Sequence, residues 1–170
     1  MSLTRLGHGL AAGAAGITML NAITYLDMAL RARPSSDSPS QAVEQLAGKA
    51  GADIPGRGED RANRLAGLGP LAGIVTGAAV GVTAALAWPA LSRVPAPLAT
   101  AVLGALAMAG SDGPLIALGI TKPEDWTAAD WASDAVPHLG YGAATYATLT
   151  ALSGHCQPDG RATLNGKAAR

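Results

Sequence analysis

Residues 66–88, AGLGPLAGIVTGAAVGVTAALAW, contain no charged side chain. About 20 consecutive apolar residues carry a helix across the roughly 30 Å hydrocarbon core of a bilayer. In a chain of 170 residues a soluble fold would have to bury such a block on every side, so it predicts a membrane-spanning helix instead. Three further apolar blocks predict partners for it. They run over 8–30, interrupted by Asn21 and Asp27; over 96–119, interrupted by AGSDGP at 109–114; and over 135–153, which contains His138. The expected fold class is all-α: an integral membrane four-helix bundle with a kinked third span and short interfacial helices.

Charged residues make up 14% of the chain, against about 25% in an average soluble domain. The apolar 49% includes no Phe and is mostly Ala, Leu and Val, which suits close helix packing. Twelve basic residues balance twelve acidic ones, so no global field recruits nucleic acid. Cys156 is the lone cysteine and makes neither a disulfide framework nor a metal pattern. Arg5 ahead of an apolar run resembles a secretory leader. The run reaches Leu30, beyond the usual ~7–15-residue signal core, and lacks a clear small-x-small cleavage site followed by a polar mature start, so a retained first span is expected.

The second span carries the most regular pattern. Gly69, Gly73, Gly77 and Gly81 recur at every fourth position and Ala85 extends the series, giving a smooth helix-packing face where another backbone can approach. Gly9 with Gly13, and Gly140 with Ala144, repeat the device more weakly. The groove can receive a helix of the same chain, or of a second copy in a homo-oligomer or larger membrane complex. Pro70 is read as lying near the start of this span, where a missing N–H costs little.

Residues 31–65 form a long polar loop. Within it Ser38, Pro39 and Gln41 have the order of a capping box opening a short amphipathic helix over 39–50, with Val43, Leu46, Ala47 and Ala50 on one side and Glu44 and Lys49 opposite. That helix either lies on the membrane surface or docks on the bundle. Gly56 and Gly58 superficially suggest a phosphate loop, but the Lys-Ser/Thr ending is missing and a turn is the better reading. Trp126 and Trp131 belong at a membrane interface, and Thr127 with Asp130 has the spacing to cap a short helix there. The stretch 154–170 shows no periodic apolar face and is expected to be a mobile tail.

Four spans put the loops 31–65 and 120–134 on one side of the membrane. Asp27, Arg61, Arg64, Asp112 and His138 then converge on one leaflet. Asp112 sits deep enough to need an inward-facing partner, and Arg64 or His138 are nearest by depth, with Asn21 and Tyr25 as neutral alternatives. Pro114 cannot donate to the carbonyl four residues back, so it kinks or breaks the third span beside that carboxylate. Asp134 and His138 share a helix face, with Tyr141 three residues on. The candidate polar cluster is thus Asp27, Arg64, Asp112, Asp134, His138 and Tyr141.

Ser111 with His138 suggests a nucleophile and base, and Asp27 with Asp112 an aspartyl pair, but neither carries a flanking motif. Asp27, Asp112 and His138 lack close metal-ligand spacing. No enzyme, metal or cofactor is therefore expected. Pro114-Leu115, Leu118-Gly119-Ile120-Thr121, Pro123, a following Trp, Ser133-Asp134 and His138-Leu139 ahead of Tyr141 resemble the YagU-type family of uncharacterised bacterial inner-membrane proteins, over 112–142 only. The resemblance implies a small multi-pass protein of the inner (plasma) membrane with no established reaction. Seven Lys and Arg on the loop side (Arg31, Arg33, Lys49, Arg57, Arg61, Arg64, Lys122) against five on the terminal side (Arg5, Arg93, Arg161, Lys167, Arg170) give only a slight orientation bias. The function expected is that of a structural, accessory or stress-related membrane protein with the lipid bilayer as its partner. The alternative is a small ion- or proton-coupled transporter or channel subunit using Asp112 and His138.

Overall fold

The computed structural model describes residues 3–154, and the stretch 155–170 of the expected tail lies outside them. Among the described residues the regular structure is all helical: α1 (Leu3–Arg31), α2 (Ser38–Lys49), α3 (Gly58–Leu86), α4 (Trp88–Leu91), α5 (Ala96–Ala117) and α6 (Ala128–Gly154), with a 3-10 turn at Pro123–Asp125. Three of these, α1, α3 and α5, are long and apolar enough to cross a membrane. α6 has 27 residues but carries Asp130, Asp134 and His138 in its first half, and is not in that set.

Helix ends follow local chemistry. α1 stops where Ala32 takes the left-handed φ of 51° and Pro34 follows. α5 stops at Gly119, whose φ of 68° lets Ile120 N–H reach Leu115 O at 2.9 Å and Gly119 N–H reach Ile116 O at 2.9 Å, satisfying carbonyls that a helix end leaves open. α3 begins at Gly58, earlier than the apolar block, because Glu59 and Asp60 sit favourably in its first turn. Pro70 is consequently three turns inside the helix rather than at its start, and it leaves the Ala66 carbonyl without its regular donor. Pro114 lies in the last turn of α5, which continues as helix to Ala117, so the expected break is absent.

α2 docks on α3 and also touches α5. Its N-cap is Asp37, with no side-chain capping bond, so the box expected from Ser38 and Gln41 does not form. The serine that matters is Ser40, whose hydroxyl donates to Leu65 O on α3 at 3.1 Å, while Arg61 pairs with Glu44. This turns Ala42 inward and leaves Leu46 and Ala50 exposed, rotating the buried face from the expected one.

α1 packs along both α3 and α6, α5 packs on α6, and α3 meets α5 more sparingly. The contacts are made at small residues. A Cβ placed on Gly81 would stand 2.6 Å from the Cα of Gly13, and one on Gly9 would stand 2.6 Å from the Cα of Val82. Gly77 makes room for Ile17 and for the ring of Tyr141, while Gly69 receives Pro39 and Ser40 of α2. The glycine groove thus holds α1 and α2 of its own chain. Gly73 meets nothing within 4 Å and is no packing residue here. Gly104 and Gly142, absent from the sequence reading, bring α5 and α6 together: a Cβ on Gly104 would come within 2.8 Å of His138 O, and one on Gly142 would overlap Thr100 O. Leu65, Leu103, Tyr141 and Leu149 are buried, but many large apolar side chains point outward, with Leu71, Ile74 and Val75 exposed on α3 and Leu98, Val102 and Leu106 on α5. An interior rich in Gly and Ala, with few large side chains, under an exterior of Leu, Ile and Val departs from the water-soluble arrangement.

Gly81→Leu should therefore destabilise the protein by about 1–3 kcal/mol or more through overpacking, whereas Gly73→Leu should melt in detergent within a degree or so of wild type. Equal melting of the two variants would contradict the assigned groove.

Candidate functional site

The polar side chains expected to converge separate into three groups. Asp27 is held by Arg31 at 2.8 Å and by Arg33 at 2.5 Å, and Arg31 also reaches Ser133 Oγ on α6. This network closes the loop end of α1 onto the start of α6. Arg64 does not approach Asp112; its guanidinium donates to the Pro55 carbonyl at 2.9 Å and shapes the turn before α3. Asn21 and Tyr25 make no bond with Asp112 either, and Tyr25 is exposed. The mismatch arises because position along each helix was legible from sequence, while the direction in which each helix face points was not.

Asp112, Asp134, His138 and Ser111 do come together, where α5 crosses α6. Asp112 and His138 are each only 8% exposed. The His138 Nδ1 lies 2.8 Å from the Asp134 carbonyl oxygen and 3.5 Å from its Oδ1. A carbonyl only accepts, so Nδ1 carries hydrogen, and in the neutral ring Nε2 is then free to accept from the Ser111 hydroxyl 3.1 Å away. The same hydroxyl lies 3.0 Å from Met108 O and 3.2 Å from Ala107 O. It can therefore bond to the imidazole, to the neighbouring Asp112 carboxyl or back to its own helix. The carboxyls of Asp112 and Asp134 are neighbours across the junction. One oxygen of each, Oδ2, is buried with no hydrogen-bond donor.

Tyr141 lies deeper and belongs to a different junction. Its hydroxyl donates to Gly77 O at 2.6 Å, and Thr145, one turn on, donates to Ala12 O at 3.3 Å. Both side chains are essentially fully buried and tie α6 to α3 and α1. Thr145 was missed in the sequence because a threonine among alanines in an apolar block carries no motif. Pro137 in α6 was missed as well. It stands one residue before His138, as Pro114 stands two residues after Asp112, and it removes the N–H that Ser133 O would use in a regular helix.

The arrangement can exchange a proton among two carboxyls and an imidazole. Ser111 and His138 have the spacing of a nucleophile and base, but Ser111 sits within a continuous helix whose N–H groups are spent on the helical ladder, leaving no oxyanion donors beside it. Among the described residues no group of three His, Cys, Asp or Glu side chains could hold a metal ion. Surface hollows of about 320 Å³ lie beside Arg64 and beside Trp88, and neither is lined by the carboxyl cluster. No protein-family model, curated protein or solved structure matches this chain.

The start of α6 is fixed by a reciprocal cap. Asp130 N–H donates to Thr127 Oγ1 at 3.2 Å, and the Thr127 hydroxyl and N–H donate to Asp130 Oδ2 at 2.6 and 2.9 Å. The box opens α6 itself rather than a separate interfacial helix. Trp126 and Trp131 stack edge-on beside it at 4.8 Å. The Thr127 hydroxyl, and then its N–H, hold the Asp130 carboxyl below the ordinary carboxylate range. A folded value below the unfolded one means that the stabilisation is complete above the ordinary carboxylate pKa and is lost as pH falls through the lowered folded value. Amide exchange in the first turn of α6 should accelerate across that acid window in wild type, and Asp130→Asn should flatten the dependence. The same acid dependence in both proteins would remove the cap from the account.

Proposed function

We propose that this chain is a multi-pass protein of a bacterial inner membrane, built as a four-helix bundle of α1, α3, α5 and α6, and that it acts as a structural, accessory or stress-related membrane component rather than as an enzyme. The single observation that carries this reading is that the buried polar side chains join one helix to another: Tyr141 to Gly77, Thr145 to Ala12, and Ser111 to His138. Such bonds fix helix register where apolar contact alone provides little orientation in lipid. The likeness to the YagU-type family over 112–142 is in keeping with this setting. In the same proposal Pro114 bends the end of the third span. A second copy or a larger membrane complex would have to use the outward apolar faces, because α1 already occupies Gly77 and Gly81.

The second reading, a small proton- or ion-coupled transporter or channel subunit working through Asp112 and His138, draws support from the carboxylate oxygens that lack a donor. Pro137 adds a second proline within a continuous helix beside the site, and with it a further backbone carbonyl deprived of its regular donor.

Melting and ion flux on the same variants distinguish the two. Under the structural reading, reconstituted wild-type protein conducts neither protons nor cations at any pH. Tyr141→Phe then loses about 0.5–1.5 kcal/mol, and Asp112→Asn melts no lower than wild type because Arg64 is not its counter-ion and no cation is stranded. Wild-type flux abolished by Asp112→Asn would replace the structural reading with the transport one.

A further inference from the structure

The neighbourhood of Asp112 contains more hydrogen-bond acceptors than donors. On α5, Pro114 deprives Gly110 O of its regular partner; on α6, Pro137 does the same to Ser133 O. To these are added the four carboxyl oxygens of Asp112 and Asp134, of which both Oδ2 atoms are buried without a donor. The local donors are few and committed: His138 Nδ1 is turned to the Asp134 carbonyl, the Ser111 hydroxyl is shared among His138, Asp112 and its own helix, and the hydroxyls of Ser133 and Thr76 donate to Ala129 O and Ala72 O.

The charged groups on the surrounding elements do not correct this imbalance. From α1, Arg31 is engaged by Asp27 and Ser133, and Arg33, just beyond the helix, is engaged by Asp27. From α3, the neighbour of this stretch is the neutral Thr76, against Gly110. On α2, Glu44 is paired with Arg61 and Lys49 is exposed. Two carboxylates facing each other under burial, without a cation between them, repel and leave acceptors unsatisfied. One proton between them removes one charge and supplies the missing donor.

We propose that Asp112 and Asp134 form a proton-binding site, holding one proton between their carboxyls at neutral pH, with Ser111 and His138 as the adjoining hydrogen-bond pair. The inference concerns the site of the second functional reading but does not require transport: the proton is a resident of the α5–α6 junction whether or not flux occurs. A proton fits where a metal ion does not, because the two carboxyls are neighbours across the junction and, among the described residues, no group of three His, Cys, Asp or Glu side chains could hold a metal. Its source is water at the loop end of α6, and binding requires no co-reactant.

Infrared spectroscopy of the full-length protein in detergent tests this, using isotope-labelled aspartate to separate aspartic acid bands from those of glutamate and lipid. At neutral pH wild type should show a protonated aspartic C=O band that shifts with the label and on hydrogen–deuterium exchange. Asp112→Asn and Asp134→Asn should each lose that band, because an amide supplies the donor and leaves the remaining carboxylate ionised; Ser111→Ala should keep it. Full ionisation of the aspartates in wild type would overturn the site, whether its proton had moved to His138 or a cation had taken its place. Persistence of the band in both Asn variants would overturn it too. The wild-type spectrum decides even where a variant does not fold, and it is independent of the flux experiment.

Discussion

Backbone-to-backbone approach at glycine is the constraint on which the remaining structure depends. α1 can lie against α3 only because Gly9 and Gly13 meet Gly81 without Cβ atoms, and α5 can lie against α6 only because Gly104 and Gly142 meet the carbonyls of His138 and Thr100. In lipid, helices gain little from hiding apolar surface from one another, so dispersion over such close contact and a few hydrogen bonds must hold them together. The outward Leu, Ile and Val side chains are then free to meet hydrocarbon. The same closeness lets short polar groups reach a neighbouring helix: Tyr141 bonds to Gly77, the residue whose missing side chain makes room for its ring.

The polar junction between α5 and α6 follows from that packing. Gly104 sets the height of His138 against α5, and the helical spacing from Gly104 to Ser111 then brings the serine hydroxyl to the imidazole. Asp134, one turn before His138, arrives opposite Asp112. Two carboxyls are thus brought together by helix register alone, with no arginine recruited to separate them. Arg31, Arg33, Arg61 and Arg64 serve the loop ends, where water screens their partners and the cost of holding charge is small.

Proline is used where a helix can tolerate it and where a missing donor has a consequence. Pro70 interrupts the ladder of α3 beside the docking place of α2, where Ser40 donates to Leu65 O. Pro114 and Pro137 flank the carboxyl pair from opposite helices. Removing donors next to acidic side chains is costly in a dry environment unless something else donates, and this links backbone composition to the state of the site.

By itself the sequence determined the helical class, the lengths of the apolar blocks and the cap at Thr127 and Asp130, because these are consequences of composition and spacing along one chain. It also singled out Asp112, Asp134 and His138. It did not determine which groups touch. Arg64, level with Asp112 by residue count, turns to Pro55; Gly73, in step with its series, faces nothing; Asp37 displaces Ser38 as the cap of α2. Rotation of a helix about its own axis decides such matters. In a chain whose apolar residues surround each helix almost evenly that rotation has no strong signature in one dimension, so it is fixed by which glycines, in three dimensions, find a backbone to approach.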